Sequence, residues 1–159
     1  MRKLMLCCLA IPLLTVAAQE KLPQGFEHWT AASLKEMATA QHGEAASDAH
    51  HVSTRRLSDF PNDLFLLAHR EADGVVEWHE NQADVFFVQS GSATLVVGGT
   101  MVGGEITEPH EKRNGKIEGG AKEKLSAGDI VRIPAQVPHQ LLLDGSPQFT
   151  YFVIKVKGY

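Results

Sequence analysis

The chain has almost no cysteine. The only two, Cys7 and Cys8, fall inside its apolar opening segment. A mature form that starts after that segment has no thiol, which excludes disulfides and thiol catalysis. Such a domain is held by its own core, and about 140 remaining residues suffice for one domain. Basic charge is also short. Lys and Arg number 15 against 19 Asp and Glu; without Arg2 and Lys3 the balance is 13 against 19, a net of −6 with His neutral. That balance excludes the basic surface that nucleic acid demands and argues against an anionic membrane partner. A nucleophile elbow is missing, because Ser90-Gly91-Ser92 lacks the Gly-x-Ser-x-Gly pattern. The glycines at 98, 99, 103 and 104 do not lead into a helix, so they form no phosphate loop. No internal repeat and no low-complexity tract is found.

What is present begins with a targeting signal. Arg2 and Lys3 precede an apolar run from Leu4 to Val16, and Val16-Ala17-Ala18 has the small residues of a cleavage site. Residues 1–18 are therefore expected to be a secretory signal peptide, too short for a convincing membrane span, with the mature chain starting at Gln19 and exported to the periplasm or beyond. Residues 19–48 read as a leader and one short helix. The helix is expected over 30–41, with Ser33 and Glu36 at capping-box spacing, Leu34, Met37 and Ala38 on one face, and Gly43 ending it.

Residues 49–159 carry strand signals at 51–57, 64–70, 75–79, 85–89, 93–97, 130–133, 140–143 and 149–156. Turn residues separate them, among them Asp73-Gly74, Ser90-Gly91, Gly98-Gly99 and Asp144-Gly145. Many short strands with regular turns imply an all-β barrel or sandwich. Residues 103–126, rich in Gly, Lys and Glu, interrupt the rhythm as either a floppy excursion or an ordered flap.

Two of these segments place ligand-type side chains among Val, Ile, Phe and Leu. The first runs Gly74-Val75-Val76-Glu77-Trp78-His79, then Asp84, then Gly91. The second runs from Gly128 through Pro134 to His139. Together they resemble the two motifs of the cupin superfamily. Glu77 stands in for the first motif histidine, Asp84 for its glutamate, Gln136 for the inner glycine of the second motif and Leu143 for its asparagine. The resemblance covers residues 64–156. It implies a cupin-type antiparallel β-barrel (a double-stranded β-helix or jelly roll) that encloses a divalent metal, and it leaves the activity open, because the fold hosts enzymes and binding proteins alike.

Alternation along a strand puts Glu77 and His79 on one face and Trp78 on the other. A hairpin after residues 80–83 is expected to bring Asp84 beside His79, with His139 arriving on a separate strand. Glu77, His79, Asp84 and His139 are thus the candidate metal ligands, for Mn, Fe, Co, Ni or Zn, and Glu77 is the candidate catalytic base if it is not a ligand. Each has a plainer reading: hydrogen-bonded barrel histidines, an exposed strand-end glutamate, a turn-capping aspartate. His69 is expected to be a satisfied histidine. His50 and His51 are expected to face solvent, His28 and His42 carry no signal, and His110 matters only if the excursion folds over the mouth.

Three functions fit. The first is a metal-dependent enzyme acting on a small oxygenated organic molecule, of isomerase, lyase or dioxygenase type. The second is a non-catalytic module that binds or senses a small ligand, with Phe86, Val88, Leu141 and Leu143 lining the interior. The third is a degenerate barrel with a structural role. A homodimer paired along exposed edge strands is expected in each case.

Overall fold

In the computed structural model, residues 20–159 are described. The expected signal peptide and the start at Gln19 lie outside them. The chain order is α1 (Ala31–Ser47), β1 (Val52–Asp59), β2 (Asp63–Arg70), β3 (Glu77–His79), β4 (Gln82–Val97), β5 (Thr100–Glu108), β6 (Glu111–Glu118), β7 (Ala121–Ser126), β8 (Ile130–Ile133), β9 (His139–Leu142) and β10 (Phe149–Lys157).

The helix starts where the side chain of Thr30 accepts from the Ser33 amide at 3.1 Å, three residues before the expected Ser33–Glu36 box. It runs past Gly43, its expected end, to Ser47. Glycine inside a helix costs only about 1 kcal/mol relative to alanine, and tertiary packing outweighs that here. Leu34, Met37 and Ala38 continue as a stripe through Gln41 and Ala45, both fully buried. Gln41 Nε2 donates to the carbonyls of Leu67 (2.8 Å) and Ser53 (3.0 Å), which fastens α1 across β1 and β2. Trp29 of the leader stacks on Phe65 and Phe152, with ring centroids 5.2 and 5.5 Å away.

The strands form two antiparallel layers that share β4. Its first half pairs with β10 and β8, and β10 continues to β2 and β1. Its second half pairs with β7 and β9, and β9 continues to β3, β6 and β5. The expected turn at Ser90-Gly91 is instead a bend inside one strand. The register slips between Thr150 and Tyr151 of β10, leaving Gln89 as the extra residue, and Gly91 takes φ +79°. A bulge followed by a left-handed glycine re-aims a strand without ending it. The ladder path from β1 to β5 does not join its ends, so the jelly roll is an open one.

The excursion at 103–126 is ordered: β5 and β6 form a hairpin, and β7 returns to β4. Between the layers lies one apolar core that includes Phe86, Leu95, Ile133, Leu141, Phe149 and Tyr151. Phe86, Val88, Leu141 and Leu143 are all buried in it, as the alternation predicts.

Candidate metal centre

The core turns polar at one end of the sandwich. β3 presents Glu77 and His79 inward, and the first residue of β9, His139, is the register partner of Glu77. Paired residues on adjacent strands share a face, so Glu77, His79 and His139 meet. One ligand atom from each lies within 4.8 Å of the others. His79 and His139 have ring centroids 5.3 Å apart.

Asp84 arrives by another route. β3 and β4 form no ladder with each other among the described residues; β4 enters the opposite layer, where Asp84 pairs with Ile133 and Lys155. It therefore faces the histidines across the sandwich, with Oδ2 3.3 Å from His79 Nε2 and 3.6 Å from His139 Nε2. The expected proximity holds, but the expected hairpin does not produce it.

Three further side chains complete the centre, none of them singled out in the sequence. Lys155 Nζ donates to both oxygens of Asp84 (2.9 and 3.1 Å) and stands 3.0 Å from His79 Nε2. Glu111 Oε2 lies 2.5 Å from His79 Nδ1. Arg113 reaches Glu77 Oε2 at 3.1 Å. The signal for Lys155 was its phase with Tyr151 and Val153, which alternate inward on β10. Glu111 and Arg113 share a face of β6 inside the excursion, where no strand period was strong enough to assign.

Burial pushes the Asp84 carboxyl up, but hydrogen bonds from His139 and His79 and the charge of Lys155 outweigh it and hold the group well below the usual carboxylate range. Burial also opposes ionisation of Glu77, and Arg113 with its neighbouring cations reverses that, so its pKa lies below the ordinary value. For His79, burial disfavours the imidazolium, yet hydrogen bonds to Asp84 and Glu111 raise its pKa from 6.5 to about 8.

A raised folded-state value means that protonated His79 adds stability fully below pH 6.5, and that this is lost as the pH climbs through about 8. Chelator-treated protein is therefore expected to lose about 2 kcal/mol of unfolding free energy across that window. Urea titrations at several pH values measure it. A Glu111→Gln variant should give a flatter profile; an identical profile would remove Glu111 as the cause.

The other histidines lie elsewhere. His69 is buried on the outer face of β2 under α1, with ring nitrogens 2.7 Å from Thr150 Oγ1 and 3.2 Å from Glu71 Oε1, a satisfied histidine as expected. His42, which carried no signal, contacts Glu71 from the helix. His110 sits at the tip of the β5–β6 hairpin, exposed and paired with Glu80, not over the centre.

No family model matches the sequence, and no curated protein does. Solved structures do. A double-stranded β-helix protein from Klebsiella pneumoniae is 17% identical, with 70% of this chain and 81% of that one covered at a TM-score of 0.52. An RmlC-like cupin family protein from Methanocaldococcus jannaschii is 15% identical, with 70% and 85% covered at 0.50. A cupin domain from Schizosaccharomyces pombe is 9% identical, with 67% and 64% covered at 0.50. At these identities the likeness is one of fold. The chain has the cupin fold, the jelly roll that its two motif segments implied, and its polar centre lies where those two segments meet.

Proposed function

We propose that the protein holds a divalent metal through Glu77, His79 and His139 and acts on a small oxygenated organic molecule bound beside it. The observation that carries this is the orientation of the two imidazoles. His79 Nδ1 is engaged by Glu111, and His139 Nδ1 lies 3.1 Å from the Val137 carbonyl, so both rings turn Nε2 toward the same space. Ligating histidines are oriented in this way by a partner on the other nitrogen. Two imidazoles and a carboxylate without thiolate suit Mn, Fe, Co, Ni or Zn. Such an ion supplies Lewis-acid polarisation of a bound oxygen. Glu77 is ionised and paired with Arg113. A carboxylate of lowered pKa is a weak base, which favours ligation over proton abstraction for this residue.

A second reading has its own observation. The Lys155 ammonium contacts His79 Nε2 and both oxygens of Asp84, placing a cation beside the ring nitrogen a metal would use. In that reading the cavity binds a small ligand without an ion. Metal analysis of protein purified without an affinity tag separates the two: one ion per chain supports the first, and metal-free protein that resists loading supports the second. Lys155→Met is expected to raise zinc affinity about tenfold by removing the competing ammonium and freeing Asp84. Chelator-competition titration measures it, and an unchanged or weaker affinity would mean that Lys155 does not oppose the ion.

The proposal has the mature chain exported, to the periplasm or beyond, and working as a homodimer. Edge strand β5 leaves Val102 and Ile106 in solvent, an apolar strip of the kind a two-fold partner covers.

A further inference from the structure

Beside the candidate metal centre the sandwich encloses a cavity of about 120 Å³, lined on one side by Leu66, Ala68, Phe86 and Val153 and on the other by charged groups. It widens outward past Arg70, Gly74, Glu77 and Arg113 into a surface groove. Most charges in the lining are matched. Glu77 pairs with Arg113, and Asp84 with Lys155. Arg70 is the exception. Its side chain points inward from β2 and the residue is 8% exposed, yet among the described residues it makes no ion pair. Among the described residues its side chain makes one hydrogen bond, from Nη2 to the Tyr151 hydroxyl at 3.2 Å, and Nε is buried without a partner. Glu77 and Asp73 act on it only from beyond ion-pair distance. Gly74 keeps the space around the guanidinium open: a Cβ there would stand 2.8 Å from Nη1.

A buried guanidinium with unused donors is costly unless something completes it, and its planar fork matches a carboxylate. We infer that the cavity takes a small organic carboxylate, with Arg70 binding the carboxylate and the apolar wall holding the carbon body. One unmatched positive charge suits a singly charged group. A phosphate brings nearly twice that charge into a space already facing Glu77 and Asp84. The inference deepens the metal-centre reading by naming its substrate class, since a second oxygen on the same molecule would then face Glu77, His79 and His139.

The test uses pyruvate, malonate and inorganic phosphate as probes, in calorimetric titrations of the full mature protein, both as purified and after chelator treatment. Pyruvate is expected to bind, and Arg70→Gln to weaken it at least tenfold with metal content unchanged. Arg70→Met separates recognition from scaffolding: a recognition role predicts unchanged or higher thermal stability together with lost binding, whereas a structural role predicts a lower Tm. In ¹⁵N-labelled wild-type protein the Arg70 Nε–H resonance should shift on adding pyruvate, a readout that needs no variant. Absence of carboxylate binding, full binding by Arg70→Gln, or preference for phosphate would overturn the inference. Arg70-dependent pyruvate binding in protein that holds no metal would sustain it while removing the metal reading. Stoichiometric metal without carboxylate binding would do the reverse.

Discussion

Replacing His139 by alanine is expected to abolish metal binding, with affinity falling more than about 100-fold, while the fold persists. His139 supplies one of two imidazoles, and its loss leaves Glu77 and His79, the latter already contacted by Lys155. A metal that keeps a single histidine beside a competing ammonium has too few ligands to hold. The fold should survive because the side chain engages only the Val137 carbonyl and Asp84, which keeps Lys155 as its partner, and sits at the polar end of the core and not among the residues that form it. The stability cost is expected near 1–2 kcal/mol, that of a buried polar group removed with its partner left behind. Elemental analysis alongside urea unfolding checks both halves. A variant that retains a full equivalent of metal would place the ion elsewhere.

Gly91→Ala should be the most destabilising small substitution in the barrel, at about 3 kcal/mol or more. Two effects add. Gly91 has φ +79°, a region that costs an L-residue about 1–2 kcal/mol. A Cβ built there would also lie 2.0 Å from the Gln148 carbonyl oxygen, a backbone atom that cannot turn aside. Overpacking of that kind adds a further ~1–3 kcal/mol. Gly98→Ala is the control, since Gly98 has φ +80° but open space around its Cβ position, and only the first cost applies. Denaturant midpoints of the two variants give the difference. Equal losses would show that the approach of Gln148 to the bend of β4 is not tight in solution.

Gly91 also shows how far local pattern reaches. Beside Ser90 it reads as a turn between two strands, because glycine and serine mark turns wherever they flank apolar runs. The same left-handed glycine serves equally inside a strand that changes layers, and only its pairing with Phe149 on β10, with the residues after it pairing to β7 and β9, distinguishes the two uses. Gly43 is a parallel case. It reads as a helix end, but the buried contacts of Gln41 and Ala45 on either side carry the helix through it. Gln136 stands where the resembling motif has glycine. Its φ of +63° shows that the backbone kept the glycine-like conformation, with its amide bonded to the His79 carbonyl at 2.7 Å.

The sequence by itself determined what alternation determines. Side chains two apart on a strand share a face, so the partnership of Glu77 with His79 and the inward aim of Phe86, Val88, Leu141 and Leu143 are local facts. The resemblance of the two motif segments to the cupin superfamily implied the architecture, and the tertiary structure agrees. Tertiary structure alone decided who meets whom across the sandwich. Asp84 approaches the histidines from the opposing layer, Lys155 comes between them from the last strand, Glu111 and Arg113 enter on the hairpin of the excursion, and Arg70 has no counter-ion among the described residues. The physical reason is that periodicity specifies the direction of a side chain relative to its own strand. The register between distant strands is set by the packing of the whole core, and no local window contains it.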